Sequence, residues 1–194
     1  MSNSSKVHRI TLTAILMAII VLLAFTPLGY LKAGIVSITF LAIPVVVGGI
    51  VMGPLYGGVL GAVFGLTSFA QCFGMDAFGT ALMGLNPVAT FVTCLVPRIL
   101  IGVFAGLLYP VLRKLDKTGV WSAVVTAVAG SLTNTVFFVG MVILFFKNTY
   151  FGGSGVWAII MAFFSINIPL EAAVCGVVGA ALSGLLLRFA AKKE

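Results

Sequence analysis

Arg98 lies inside an apolar stretch, Phe91 to Leu112, and its guanidinium is the strongest chemical signal in the chain. A planar, forked cation matches a carboxylate bidentately, so the chemistry it offers is capture of an anionic solute. A charge at the centre of a bilayer costs on the order of several kcal/mol, so such a residue faces a cavity or a partner. Two other apolar stretches carry polar groups: Asn134 in one, Asn167 with Glu171 in the other. Carboxamides donate and accept, which suits the hydroxyl and amide groups of a ligand. They equally suit helix–helix hydrogen bonding, worth about 1 kcal/mol in a membrane. Glu171 lies one turn from Asn167 on the same helix face. It either forms a structural ion pair with Arg98, or orients Arg98 toward a ligand or accepts the ligand's hydroxyl or amide hydrogens, and the structural and functional roles are compatible.

Prolines sit beside these groups. Pro97 adjoins Arg98, and Pro169 lies between Asn167 and Glu171. A proline inside a helix frees the carbonyl four residues earlier, here Thr93 and Ser165. Inside a membrane a freed carbonyl needs a partner or a wet cavity, although prolines also simply kink such helices. Thr90, Cys94 and Arg98 share one helical stripe, so Thr90 is expected to point toward the same cavity. Gln71 and Asn86, with Thr90, are expected nearer its mouth. Phe69, Phe73, Phe138 and Trp157 are either its apolar walls or lipid anchors.

The elements that position these residues follow from composition. Of 194 residues, 61% are hydrophobic and 8% charged, and the mean hydropathy is +1.26. Soluble domains are about half apolar and a quarter charged. Most segments are apolar around their whole circumference, as membrane helices are. The expected fold is an all-α integral membrane protein: one domain, residues 1–194, of six transmembrane helices. The helices are expected at about Ile10–Phe25, Ile38–Met52, Pro54 to about Gln71, Pro87–Leu112, Val120–Phe146 and Val156–Phe189. The stretches Leu28–Ser37, Phe73–Pro87 and Lys147–Gly155 read as loops. The first apolar run follows Lys6 and Arg9 but lacks a small-x-small cleavage site, so it reads as a retained helix.

Charge fixes the expected orientation. With both termini cytoplasmic, the inner side holds Lys6, Arg9, Arg113, Lys114, Lys117, Arg188, Lys192 and Lys193, while the outer side holds Lys32 and Lys147. The net charge of +7 therefore reflects topology, and no nucleic-acid partner is expected. Counting from the outer helix ends at about 1.5 Å per residue, Arg98, Asn134 and Asn167 all fall roughly 16–18 Å below the outer surface. Three polar groups on three helices at one depth describe the floor of an outward-opening cavity.

Other chemistry is poorly represented. Cys72, Cys94 and Cys175 show neither metal-ligand spacing nor a disulfide framework, and His8 is the lone histidine. No phosphate-binding loop, His-Glu-x-x-His or Gly-x-Ser-x-Gly motif is present. No enzyme, cofactor or metal is expected. Gly53, Gly57, Gly61 and Gly65 recur every four residues, a spacing that lets helix backbones approach closely.

The chain resembles the S components, the substrate-binding subunits, of energy-coupling factor (ECF) vitamin transporters. The residues that carry the resemblance are Ala14-x-x-x-Ala18 and the run Ile43-Pro44 … Met52-Gly53-Pro54-Leu55-Tyr56-Gly57-Gly58 … Gly61. Gly79-Thr80-Ala81-Leu82-Met83-Gly84-Leu85-Asn86-Pro87, followed by Cys94-Leu95-Val96-Pro97-Arg98, looks most like the pantothenate-specific type. The resemblance implies a bacterial plasma-membrane protein that binds its vitamin at the outer side between helices 4, 5 and 6. It implies partners: a membrane coupling subunit, faced by Ala14 and Ala18, and two cytoplasmic ATPases that energise release inward. Alternatives are an S component for folate, riboflavin or niacin, or an independent carrier with Glu171 as its proton or cation site. A membrane enzyme or scaffold would not need a polar floor at one depth.

Overall fold

Gly53 adopts φ 97° and ψ 178° between two helices, a backbone region that is essentially glycine-only. Pro54 then opens the next helix with its φ already helical. The computed structural model in which this turn is seen describes residues 3–26, 29–33, 36–116, 120–150, 176–177 and 181. Its elements are α1 (Asn3–Ala24), β1 (Tyr30–Ala33), β2 (Val36–Thr39), α2 (Ala42–Met52), α3 (Pro54–Gln71), α4 (Ala77–Leu85), α5 (Pro87–Arg113) and α6 (Val120–Tyr150).

Helix α2 forms the centre. Every one of its residues except Val51 is buried, which explains a sequence apolar on all sides. At about 16 Å it is much shorter than the hydrocarbon core. Helices α1, α3, α5 and α6 pack around it, and Leu16, Ile20, Leu60, Phe64, Ile101 and Ala127 belong to the same buried core as its side chains. Among the described residues three helices are long and apolar enough to cross a membrane: Val7–Ala24, Pro87–Arg113 and Val120–Phe146. Their outer faces expose Leu22, Val111 and Leu144, as surfaces turned to lipid do.

The glycine stripe of α3 is the closest seam. A Cβ on Gly57 would come within 2.8 Å of Gly49 Cα on α2 and within 2.8 Å of the Gly102 carbonyl carbon on α5. A Cβ on Gly65 would lie 2.9 Å from Leu95 Cα. The two helices therefore run antiparallel with their backbones nearly touching, an approach that only small residues permit.

Two segments expected to be loops are structured, and α6 continues through Tyr150 into the start of the third, expected at Lys147–Gly155. Within the first linker, β1 and β2 pair antiparallel, with Tyr30 opposite Thr39 and Ala33 opposite Val36. Aromatic and β-branched residues favour this extended form, so the second expected helix begins at Ala42 rather than Ile38. The stretch 73–87 contains α4. Asp76 caps it, its carboxylate accepting a hydrogen bond from the Gly79 N–H at 2.7 Å. The glycines at 74, 79 and 84 mask this helix in the sequence, because glycine has low helix propensity. Helix α1 also starts earlier than expected, at Asn3, so Arg9 lies on the helix itself. The expected sixth span, with Asn167, Pro169, Glu171 and Trp157, lies outside the described residues except for Gly176, Val177 and Ala181, which are helical. Helix α4 is thus not one of the six helices the sequence predicts.

Candidate functional site

Pro97 has no N–H to give to Thr93, four residues earlier on α5. The Arg98 Nη1 donates to that carbonyl instead, at 3.1 Å. The side chain folds back along its own helix, the direction helical side chains favour. Gly61 holds α3 so close to this point that its Cβ position lies 2.8 Å from the Arg98 carbonyl carbon.

Two aromatic rings hold the cation from neighbouring helices. The guanidinium carbon lies 4.6 Å from the centroid of Phe138 on α6 and 5.6 Å from that of Phe64 on α3. Both distances fall within the range of cation–π attraction, which reaches about 2 kcal/mol or more where water is excluded. Phe64 is completely buried.

On α5 and α6, three buried polar atoms lack a hydrogen-bond partner among the described residues: Arg98 Nε, Thr93 Oγ1 and Asn134 Oδ1. Each such atom costs about 1–3 kcal/mol. Native proteins leave few of them, and a group of them calls for a ligand, water or ion. One is a donor and two can accept, so the group suits a solute that itself both accepts and donates.

Asn134 is brought to the level of Arg98. Gly130 of α6 lies beside Ile101 of α5, while Val142 and Phe146 pack with Ala89 nearer the start of α5. These contacts bracket Arg98 on one helix and Asn134 on the other. Asn134 is also one turn from Phe138, so Asn134 and the ring under the guanidinium share a stripe.

The remaining candidates are engaged in local structure. Asn86 is exposed and caps α5, its Oδ1 accepting from the Ala89 N–H at 3.1 Å. Thr90 is fully buried and donates to the Asn86 carbonyl at 2.9 Å. Gln71 is buried, and its amide donates to the Ala24 carbonyl, tying the end of α3 to the end of α1. Asn167 and Glu171 lie outside the described residues. Phe69 stacks edge-on against Phe91 at 5.0 Å and Phe73 at 5.4 Å, forming an aromatic cluster beside the start of α5. Ala14 and Ala18 are exposed on α1, opposite the buried face of Thr13, Leu16 and Ile20.

Phe64 and the Thr93 hydroxyl are members of the candidate site that polarity and depth did not identify. Their signal lay in the glycine spacing: Gly61 and Gly65 press α3 onto α5 at Arg98, so the large residue between them must face it. Among the described residues no group of three His, Cys, Asp or Glu side chains forms a metal site.

No curated protein shows significant similarity to the chain. Residues 8–183 match the family described as ECF transporter, substrate-specific component. That match runs through the glycine seam, the apolar spans and the cation with its unpaired neighbours. A subunit that selects a small solute within a membrane accounts for all three, and the chain belongs to this family of transport subunits, which are not enzymes.

Proposed function

We propose that this chain is the pantothenate-binding S component of an ECF importer. Arg98 receives the carboxylate of the vitamin, and Asn134 receives its hydroxyl or amide groups. Asn167 and Glu171 complete the floor from the expected sixth span, and Thr90, Asn86 and Gln71 support its mouth. Six spans with both termini cytoplasmic place this floor below the outer face of a bacterial plasma membrane. Ala14 and Ala18 meet a coupling subunit, and two cytoplasmic ATPases supply the energy for release.

The observation that carries this reading is the group of buried, unpaired atoms Arg98 Nε, Thr93 Oγ1 and Asn134 Oδ1 on two adjoining helices. Nη1 is committed to the Thr93 carbonyl, which leaves the edge that includes Nε for a carboxylate approaching side-on. A carboxylate there gains two charge-assisted hydrogen bonds in a site already desolvated by Phe64 and Phe138. Pantothenate carries one carboxylate, hydroxyls and an amide, and so matches the cation, the amide oxygen and the hydroxyl.

The test is mass spectrometry of the small molecule that co-purifies with the protein, followed by titration of the stripped protein. Pantothenate is the expected species. Folate, riboflavin or niacin would keep the family and remove the vitamin assignment. Arg98→Lys keeps the charge but loses the fork, and an affinity loss of roughly 30- to 100-fold is expected, equivalent to about 2–3 kcal/mol. Unchanged affinity would leave Arg98 a structural residue only.

A further inference from the structure

Cys72 ends α3 and Cys94 lies on α5, and anion capture uses neither thiol. Both are free, and they are 3% and 5% exposed. Their sulfurs are 3.8 Å apart. The meeting follows from helix geometry. Side chains lean toward the N-terminus of their own helix, and α3 and α5 are antiparallel, so the two thiols lean toward one another. The lean of Cys72 is visible in its contact with the Ser68 carbonyl at 3.4 Å. Helix α4 covers the pair: a Cβ on Gly79 would come within 2.6 Å of the Cys72 sulfur. No third ligating side chain joins them among the described residues, so the chemistry available is thiol–disulfide exchange.

We propose that Cys72 and Cys94 are a dithiol–disulfide pair that fastens the end of α3 to α5. The oxidant is a small-molecule disulfide. One cysteine thiolate attacks it, forming a mixed disulfide and expelling one thiolate. The second cysteine then attacks the protein-side sulfur of that mixed disulfide and expels the other thiolate. Two S–H bonds and one external S–S bond are lost, and one internal S–S bond and two external thiols are formed. The sulfurs close from 3.8 Å to about 2 Å. The resulting bond spans 22 positions and ties down the segment that carries α4. The proposal stands on the geometry of the thiols and is independent of which solute the chain binds.

The full chain carrying Cys175→Ser, which removes the third thiol, is treated with 4,4′-dithiodipyridine, and released thiopyridone is followed by absorbance. The expected result is about two thiopyridones per chain and a mass loss of about 2 Da with no retained adduct. Cys72→Ser and Cys94→Ser, each in the same background, are expected to release about one and keep a thiopyridyl adduct. Peptide mapping of the oxidised wild-type chain checks the same point without any substitution, and a peptide joining residues 72 and 94 is expected. Stable adducts on both cysteines, a bond that always involves Cys175, or two unreacted thiols would each overturn the proposal.

Discussion

Gly61 on α3 faces the backbone of Arg98 on α5 with no space for a side chain between them: a Cβ there would overlap the Arg98 carbonyl and lie 2.8 Å from Ile99 Cα. The cation therefore rises from a stretch of helix clamped from behind. Its guanidinium is then fixed by Thr93 below and by the rings of Phe64 and Phe138 at the sides. A binding group held at both backbone and side chain loses little freedom when it meets a ligand, which favours affinity.

Gly61→Ala is expected to destabilise the protein by about 1–3 kcal/mol, because the overlapping atom is backbone and moves only if the helices part. Gly140→Ala is the control. It lies in α6, where none of the described residues comes within 4 Å of its Cβ position, and the change is expected to be neutral or stabilising by up to about 1 kcal/mol. Thermal unfolding in detergent measures both. Equal stability of the two variants would mean that the α3–α5 seam has room for a methyl group.

The link between Pro97 and Arg98 predicts a measurable coupling. Arg98→Ala removes the side-chain hydrogen bond that the Thr93 carbonyl accepts. Pro97→Ala supplies a backbone N–H for the same carbonyl. Loss of the arginine is therefore expected to cost less in the Pro97→Ala background, with a coupling of about 0.5–3 kcal/mol. A double-mutant cycle on stability without ligand measures it. Strict additivity would show that Arg98 does not satisfy the carbonyl freed by the proline.

This pair also shows how much the sequence discloses. That Pro97 frees the Thr93 carbonyl is local chain geometry, and it is readable from residue spacing alone. That Arg98 itself fills the vacancy depends on a rotamer chosen by Gly61, Phe64 and Phe138, which are remote in sequence. The long apolar helices were legible because hydropathy accumulates over many residues. The helix α4 and the hairpin β1–β2 were not, since both are short and their stability comes from contacts and caps. Asn86 illustrates the same limit. Its residue type suits a ligand contact and a helix cap equally, and in the fold its side-chain oxygen meets the Ala89 N–H.

Asn86 therefore separates two roles by substitution. Asn86→Ser keeps a capping oxygen and is expected to retain both stability and ligand affinity. Asn86→Ala loses the cap and is expected to cost about 0.5–2 kcal/mol of stability. Affinity measured at a temperature where both variants are folded completes the test. A large affinity loss in Asn86→Ser with stability intact would give this residue a direct part in binding.

Ala14 and Ala18 stand one turn apart on the exposed face of α1. The buried side of the helix, through Leu16, Ile20 and Ala24, holds it to the bundle. Enlarging the exposed pair therefore adds volume on the side of α1 turned away from its buried face. If this stripe is where a coupling subunit approaches, backbone-to-backbone contact there requires small residues. Ala14→Leu with Ala18→Leu is expected to leave folding and solute affinity unchanged, within about 0.5 kcal/mol of the parent. Co-purification with the coupling subunit and uptake in proteoliposomes containing the ATPases are expected to fall at least about tenfold, the equivalent of 1.4 kcal/mol at the interface. Full uptake by the double variant would move the docking surface elsewhere on the bundle, whereas lost solute affinity would mean that α1 shapes the site as well as its approach.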